Sequence, residues 1–501
     1  MQEIARQEHV SFAKTMQSNA AQKVSEHSTD GVVFGDPEKS VVKEDLVDLV
    51  VGLFFDGTGN NRKNIDNREA SNSIYKSKSG WKWKWQDNTS YENDRTNVDH
   101  LEKMYKKETL YYSIYIEGIG TTNDEFDTVV DMGTGMGSTG IRSKVRASCE
   151  ALLKTIKSAT NKNINQLTVD VFGFSRGAAA ARNFVHEITK PAYKATVREE
   201  GILTDSDGYM VSQEDLPARG HFGLKMQKKL KINFVKIRFA GLYDTVSAYG
   251  IKHRDDVGQL KLNAINKASN IVHLTAADEH REKFELTSVT TGIELSLPGV
   301  HSDIGGSYRD NIVENVSLAE ELFTINNWRE KVAAEKARLI EQGWYRDNQM
   351  TNKQPYKLIG NRLLSNKYSL IPLHLMFEMG KPICKFLDTQ IKSNLYKIPD
   401  KPLAGNKVIL SDVYIRLKAY AILKTKPAML FNNARQLRSI KDMVDRGLYP
   451  QDKYQQTVED AKVLYDLRNR YLHFSSSWDG IGKEPAINKQ GERERVVFNR
   501  R

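Results

Sequence analysis

The chain has little of what would commit it to a stapled, metal-bound or membrane-spanning class. It has two cysteines in 501 residues, Cys149 and Cys384. They are too few for a disulfide framework and lack metal-ligand spacing, so free buried thiols are expected. No stretch approaches the roughly 20 apolar residues needed to span a bilayer. The best run, Leu46 to Phe55, is short and interrupted by Asp48. The first residues, Met1 to Glu8, lack the basic-then-apolar pattern of a secretory signal. Passage to another compartment is therefore expected to use a route that ignores signal peptides. Internal repeats and low-complexity tracts are absent. Hydrophobic content of 39% and charged content of 27% are those of an ordinary globular protein. A net charge of +11 favours anionic partners, either a membrane surface or nucleic acid without sequence specificity.

The chemistry concentrates in Val169-Asp170-Val171-Phe172-Gly173-Phe174-Ser175-Arg176-Gly177, followed by Ala178 to Ala181. A β-branched run, a serine framed by two glycines and a run of helix formers read as a nucleophile elbow. Such a turn holds serine in a strained conformation, and Gly173 and Gly177 remove side chains that would collide with it. A serine nucleophile needs a base, and the base needs an orienting carboxylate, in the chain order Ser, Asp or Glu, His. Phe234 to Tyr243 reads as another strand with Asp244 just beyond its end, and Ile293 to Leu297 reads as a short strand running into a glycine-rich loop that carries His301. Ser175, Asp244 and His301 therefore stand in the required order, each after a predicted strand, where open α/β sheets build their sites.

The other histidines are weaker candidates than His301. His186 falls on the helix after the elbow, and His253, His273, His280 and His374 lie in helical or loop contexts without a strand end. His473, after the apolar Tyr471-Leu472, is the rival base. Asp303 is either a partner behind His301 or a cap on the following turn. The oxyanion needs two donors. One is the backbone N–H of Arg176; the second is sought in the loop after Val50 to Phe55, at Gly57 and Thr58. A halo-acid phosphatase would need an aspartate two positions before Asp56-Gly57-Thr58, but Phe54 stands there. Asp56 is left as an Asx turn at a strand end or an alternative acid. Neither metal nor cofactor is called for.

These residues resemble a known family, the antibacterial phospholipase effectors of the type VI secretion system, first lipase family. The matching segments are Phe54 to Asn61, Thr96-Asn97-Val98, Glu117 to Thr121, Gly173 to Gly177, Tyr243 to Val246, Asp278 to Arg281 and Pro298 to Tyr308. They span roughly residues 48 to 310; beyond that, only Leu370 to Met376 and Tyr471 to Ser475 match. The resemblance implies an α/β-hydrolase fold and a Ser175–Asp244–His301 triad acting on glycerophospholipids of a rival bacterium's membrane. It also implies delivery from the producer's cytoplasm on the secretion spike, and a cognate immunity protein.

The expected organisation follows from pattern. Residues 1–45 read as a flexible adaptor segment. Residues 46–310 read as an α/β-hydrolase catalytic domain with a mostly parallel sheet and insertions near 62–100 and 190–230. Residues 311–501 read as a mainly helical lid or interaction region. Trp81-Lys82-Trp83-Lys84-Trp85 suits either a packed aromatic face or a loop at a headgroup layer. Lys225 to Lys231 reads as a solvated basic run. Leu318, Leu322, Ile325, Trp328 and Val332 form a helical stripe that Gly343 would end. Two rivals stay open: a soluble carboxylesterase on the same fold, and a noncatalytic membrane- or nucleic-acid-binding delivery protein.

Overall fold

Runs buried on both faces make parallel strands, and among the described residues the central strands of a six-stranded sheet are of this kind. The computed structural model describes residues 46–78, 86–226, 230–250, 256–320, 328–354, 356–479, 482–489 and 491–498. The strands are β1 (Leu46–Phe55), β2 (Tyr111–Ile116), β3 (Asn163–Phe174), β4 (Ile232–Tyr243), β5 (Asn270–Ala276) and β6 (Ile293–Leu297). They form one sheet in the order β6-β5-β4-β3-β1-β2, with every neighbouring pair parallel. Parallel neighbours need crossover connections, which place helices on both faces. The result is the α/β-hydrolase-like arrangement expected from the sequence.

The two faces are covered differently. Period-two alternation in β1 sends Leu49, Val51, Leu53 and Phe55 to one side, where they pack with the helices Ile141–Ala159 and Arg176–Ile188. Ala178 to Ala181 are buried there, and their small side chains bring the second helix close to the sheet. On the other side Phe54 stacks on Phe172 with centroids 4.6 Å apart, within a cluster that includes Phe239, Tyr243 and the apolar helix Leu370–Gly380. Leu464, Leu467, Tyr471 and Leu472 join the same cluster. Residues beyond 310, together with the helix Asn97–Met104, thus supply the second covering layer of the sheet.

That C-terminal part is helical but carries an antiparallel sheet of β7 (Ile312–Glu320), β8 (Met350–Gln354) and β9 (Lys357–Leu364), in the order β7-β9-β8. Leu318 therefore belongs to a strand, and the expected five-residue helical stripe is not one helix. The helix runs Trp328–Glu341, and Leu322 and Ile325 lie outside the described residues. Gly343 does follow its end, at φ +79°, where a Cβ would sit 2.4 Å from Tyr465 O. The insertion near 62–100 holds the helices Arg62–Glu69, Ser73–Lys78 and Asn97–Met104, whereas that near 190–230 is built from two-residue antiparallel pairs. The Trp81–Trp85 run, residues 1–45, His253 and the centre of the basic run at 227–229 lie outside the described residues. Cys149 and Cys384 are free and buried. Among the described residues, no helix is long and apolar enough to cross a membrane.

Candidate active site

Ser175 sits between β3 and the helix Arg176–Ile188 with φ 60° and ψ −131°, a backbone conformation rare for any residue but glycine. An outlier of this kind costs on the order of 1–3 kcal/mol and persists only where its surroundings over-determine it. Here the two glycines allow it. A Cβ on Gly173 would lie 2.6 Å from Ala178 Cα, and one on Gly177 would lie 2.1 Å from Asp56 O. Ser175 N–H donates to Tyr243 O at 3.0 Å, which ties the turn to the end of β4.

Asp244 leaves that neighbouring strand and is fully buried. His301 opens a short helix, His301–Gly305, rather than lying in the glycine-rich loop expected, and its Nδ1–H donates to Asp244 Oδ2 at 2.6 Å. The imidazole packs on the Phe174 ring, centroids 4.6 Å apart, which sets it beside the residue preceding Ser175. Asp244 Oδ1 accepts Ala276 N–H at 2.8 Å. Burial pushes the Asp244 carboxyl up, but the Arg495 charge and the His301 hydrogen bond pull it down further, and it ends below the usual aspartate range. Burial lowers the His301 imidazole despite the opposing effect of its hydrogen bond to Asp244, so His301 is neutral near pH 7.

The weaker candidates separate. Asp56 acts as a pin: Oδ1 accepts Gly57 N–H and Thr96 Oγ1–H, both at 2.7 Å, and Oδ2 accepts Tyr115 OH at 2.5 Å. Gly57 N–H is therefore already committed. The N–H of Thr58 has no acceptor among the described residues, and its buried Oγ1 has no hydrogen-bond partner there either. Asp303 is both cap and partner. Its Oδ2 accepts Val300 N–H at 3.0 Å, and its Oδ1 accepts His473 Nδ1–H at 2.7 Å. His473 thereby forms a second His–Asp pair with a residue of the His301–Gly305 helix, stacked on Tyr308 at 3.7 Å.

Burial raises the Asp56 carboxyl to about 6, against hydrogen bonds from Tyr115 and Thr96 that lower it. A carboxyl whose folded pKa exceeds its unfolded value of about 3.9 binds protons more tightly when folded, so its contribution to stability falls as pH rises between these values. Wild type should therefore lose on the order of 1 kcal/mol relative to Asp56→Asn between pH 5 and pH 7.5. Paired denaturant melts at the two pH values measure it, and a constant difference would contradict the assignment.

The scattered blocks of the sequence converge here. Gly118 N–H donates to Asn60 O at 2.8 Å, and a Cβ on Gly118 would lie 1.8 Å from Gly57 O, so this glycine is required for the two loops to meet. Asn97 Nδ2 donates to Ile304 O at 2.9 Å, holding the histidine helix. Asp278 accepts Gly299 N–H at 2.7 Å. Glu279 accepts His301 N–H at 3.2 Å and pairs with Arg281 at 2.9 Å. Against burial, Arg281 holds the Glu279 carboxyl well below the usual range. The model of the type VI secretion phospholipase effector Tle1-like catalytic domain matches residues 49–322. The chain belongs to that family. Its members are phospholipase effectors of the type VI secretion system, and it is a hydrolase-family effector by that membership.

The solved structure of a Tle1 effector bound to the VgrG spike is 18% identical to this effector, covers 94% of it and 99% of its own chain, and superposes with a TM-score of 0.50. At that identity the likeness is one of fold. An uncharacterized Pseudomonas aeruginosa protein is 16% identical over 86% of the chain and 65% of its own, with a TM-score of 0.34. No curated protein matches. Sequence reasoning missed one contact of the site: Arg495, near the C-terminus, donates to Asp244 Oδ2 at 3.0 Å. No motif surrounds Arg495, and only the folded chain brings it to the acid.

Proposed function

We propose that this effector is a serine phospholipase of type A, releasing a fatty acid from membrane glycerophospholipids through an acyl-enzyme. The reading is carried by one observation: a strained serine at a strand-to-helix turn shares the C-terminal sheet edge with a buried Asp244–His301 pair. His301 Nε2 takes the Ser175 proton as Oγ attacks the ester carbonyl. Asp244 holds the imidazole through Nδ1 and stabilises its cation. The N–H groups of Arg176 and Thr58 receive the oxyanion, with the Thr58 hydroxyl as a further donor. The proton passes to the leaving glyceryl oxygen, and water then hydrolyses the acyl-enzyme with His301 again as base.

The half-buried Arg176 guanidinium supports an anionic substrate. Its hydrogen bond goes to a carbonyl, Gly133 O at 3.3 Å, and it has no carboxylate partner among the described residues. A cation left uncompensated one residue from the nucleophile suits a phosphodiester. Delivery on a VgrG-type spike to a target-cell membrane, and an immunity protein in the producer, complete the proposal. The test measures fatty-acid release from phosphatidylglycerol and phosphatidylethanolamine vesicles, with stoichiometric labelling by a serine-directed phosphonate. Labelling with vesicle hydrolysis is expected. Labelling with turnover of short esters alone would make it a soluble carboxylesterase, and neither would leave a binding protein.

A further inference from the structure

Arg495 is the last charged residue before a C-terminal strand, and it shares the carboxylate oxygen that His301 uses. Its Nη2 donates to Asp244 Oδ2 at 3.0 Å, the atom that accepts His301 Nδ1–H at 2.6 Å, and its Nη1 donates to Ala276 O at 3.0 Å. The side chain is only 9% exposed. The tail that carries it is tied in place. Val497–Phe498 pairs in parallel with Leu286–Thr287, Leu286 N–H donates to Val496 O at 2.9 Å, and Glu494 N–H donates to Ala486 O at 3.1 Å. A guanidinium is thus delivered to the acid from 251 residues away.

We propose that Arg495 is a positioning residue that sets the basicity of His301. An aspartate on Nδ1 raises the affinity of an imidazole for its second proton, because the carboxylate charge stabilises the imidazolium. A cation on the same oxygen offsets that charge and keeps Asp244 ionised in acid. His301 then stays neutral, and able to accept the Ser175 proton, at lower pH than a bare His–Asp pair allows. The charged groups that act on the pair besides Arg495 are Arg281 and Glu279, which pair with each other; Asp303, two residues along the histidine helix, is held by His473. Glu279 also feels the Arg495 charge but keeps its Arg281 partner at 2.9 Å, and the Lys variant, which retains the charge, separates the effect of the charge from that of the side chain.

The inference rests on the Ser175–Asp244–His301 reading, and its test separates the two. Profiles of kcat/KM against pH, normalised to phosphonate-titrated sites, are measured on a short ester for wild type, Arg495→Gln, Arg495→Met and Arg495→Lys. Loss of the charge should move the acid limb up by roughly one pH unit, while Arg495→Lys keeps it near the wild-type position. An acid limb in the Gln or Met variant that coincides with wild type overturns the proposal, even if rate or titratable sites are lost, because that pattern is a purely structural role. Should one neutral variant fail to fold, the other together with the Lys variant decides. Failure of the triad itself would read out differently, as unchanged turnover in Ser175→Ala.

Discussion

Replacing Ser175 with alanine should lower fatty-acid release by at least about 10³-fold while leaving the unfolding midpoint within a degree or two of wild type. The size follows from what the hydroxyl does: without it no acyl-enzyme forms, and only oxyanion donors and substrate binding remain to speed direct attack by water. Folding is spared because Ser175 Oγ has no hydrogen bond to lose among the described residues, and the strained backbone at φ 60° is allowed by Gly173 and Gly177, where a Cβ would collide. Alanine at that φ is no worse than serine. Vesicle assays paired with thermal melts check both halves. A variant with wild-type turnover would remove Ser175 from the chemistry, and a variant that unfolds would show that the hydroxyl serves the fold.

The largest expected effect on stability lies far from Ser175. Arg362 is buried on β9 and engages Glu314 on β7 through both carboxylate oxygens, at 2.9 and 3.0 Å. It also donates to Trp344 O at 2.7 Å, Arg468 O at 2.6 Å and Leu472 O at 2.9 Å. Glu314 accepts Tyr345 OH and Phe474 N–H besides. Arg362→Met strands a buried carboxylate and three carbonyls, and should cost about 3–5 kcal/mol. Neutralising the partner as well, in Glu314→Gln/Arg362→Met, should cost less than the two single changes summed, because the uncompensated charge is gone. Denaturant titrations of the three variants supply the cycle, and strict additivity would mean that the pair is not coupled. The loss should also reach the site, because Leu472 precedes His473 and His473 holds Asp303 of the histidine helix.

The division between what could be read along the chain and what could not has a physical cause. The parallel sheet was legible because strands buried on both faces leave continuous apolar runs such as Val169 to Phe174, with one explained exception. Asp170 lies within that run, neutralised by Arg238 and hydrogen-bonded to Tyr105 at 2.6 Å. The placement of Ser175, Asp244 and His301 after strands was legible because apolar runs precede them and because the glycines of a strand-to-helix turn answer contacts a few residues away. The antiparallel β7-β9-β8 sheet was not: its strand β7 takes Leu318 out of a spacing that also fits a helix, and periodicity cannot arbitrate over so few residues.

What the sequence determined by itself is the local chemistry: the strand-serine-helix turn, the order of the three candidate residues and the family they belong to. Tertiary structure alone decided which groups stand behind them. It committed Gly57 N–H to Asp56, gave His473 to Asp303 and brought Arg495 onto Asp244. Such partners are chosen by packing between elements distant along the chain. A buried charge finds its counter-charge only once the fold has taken both out of water.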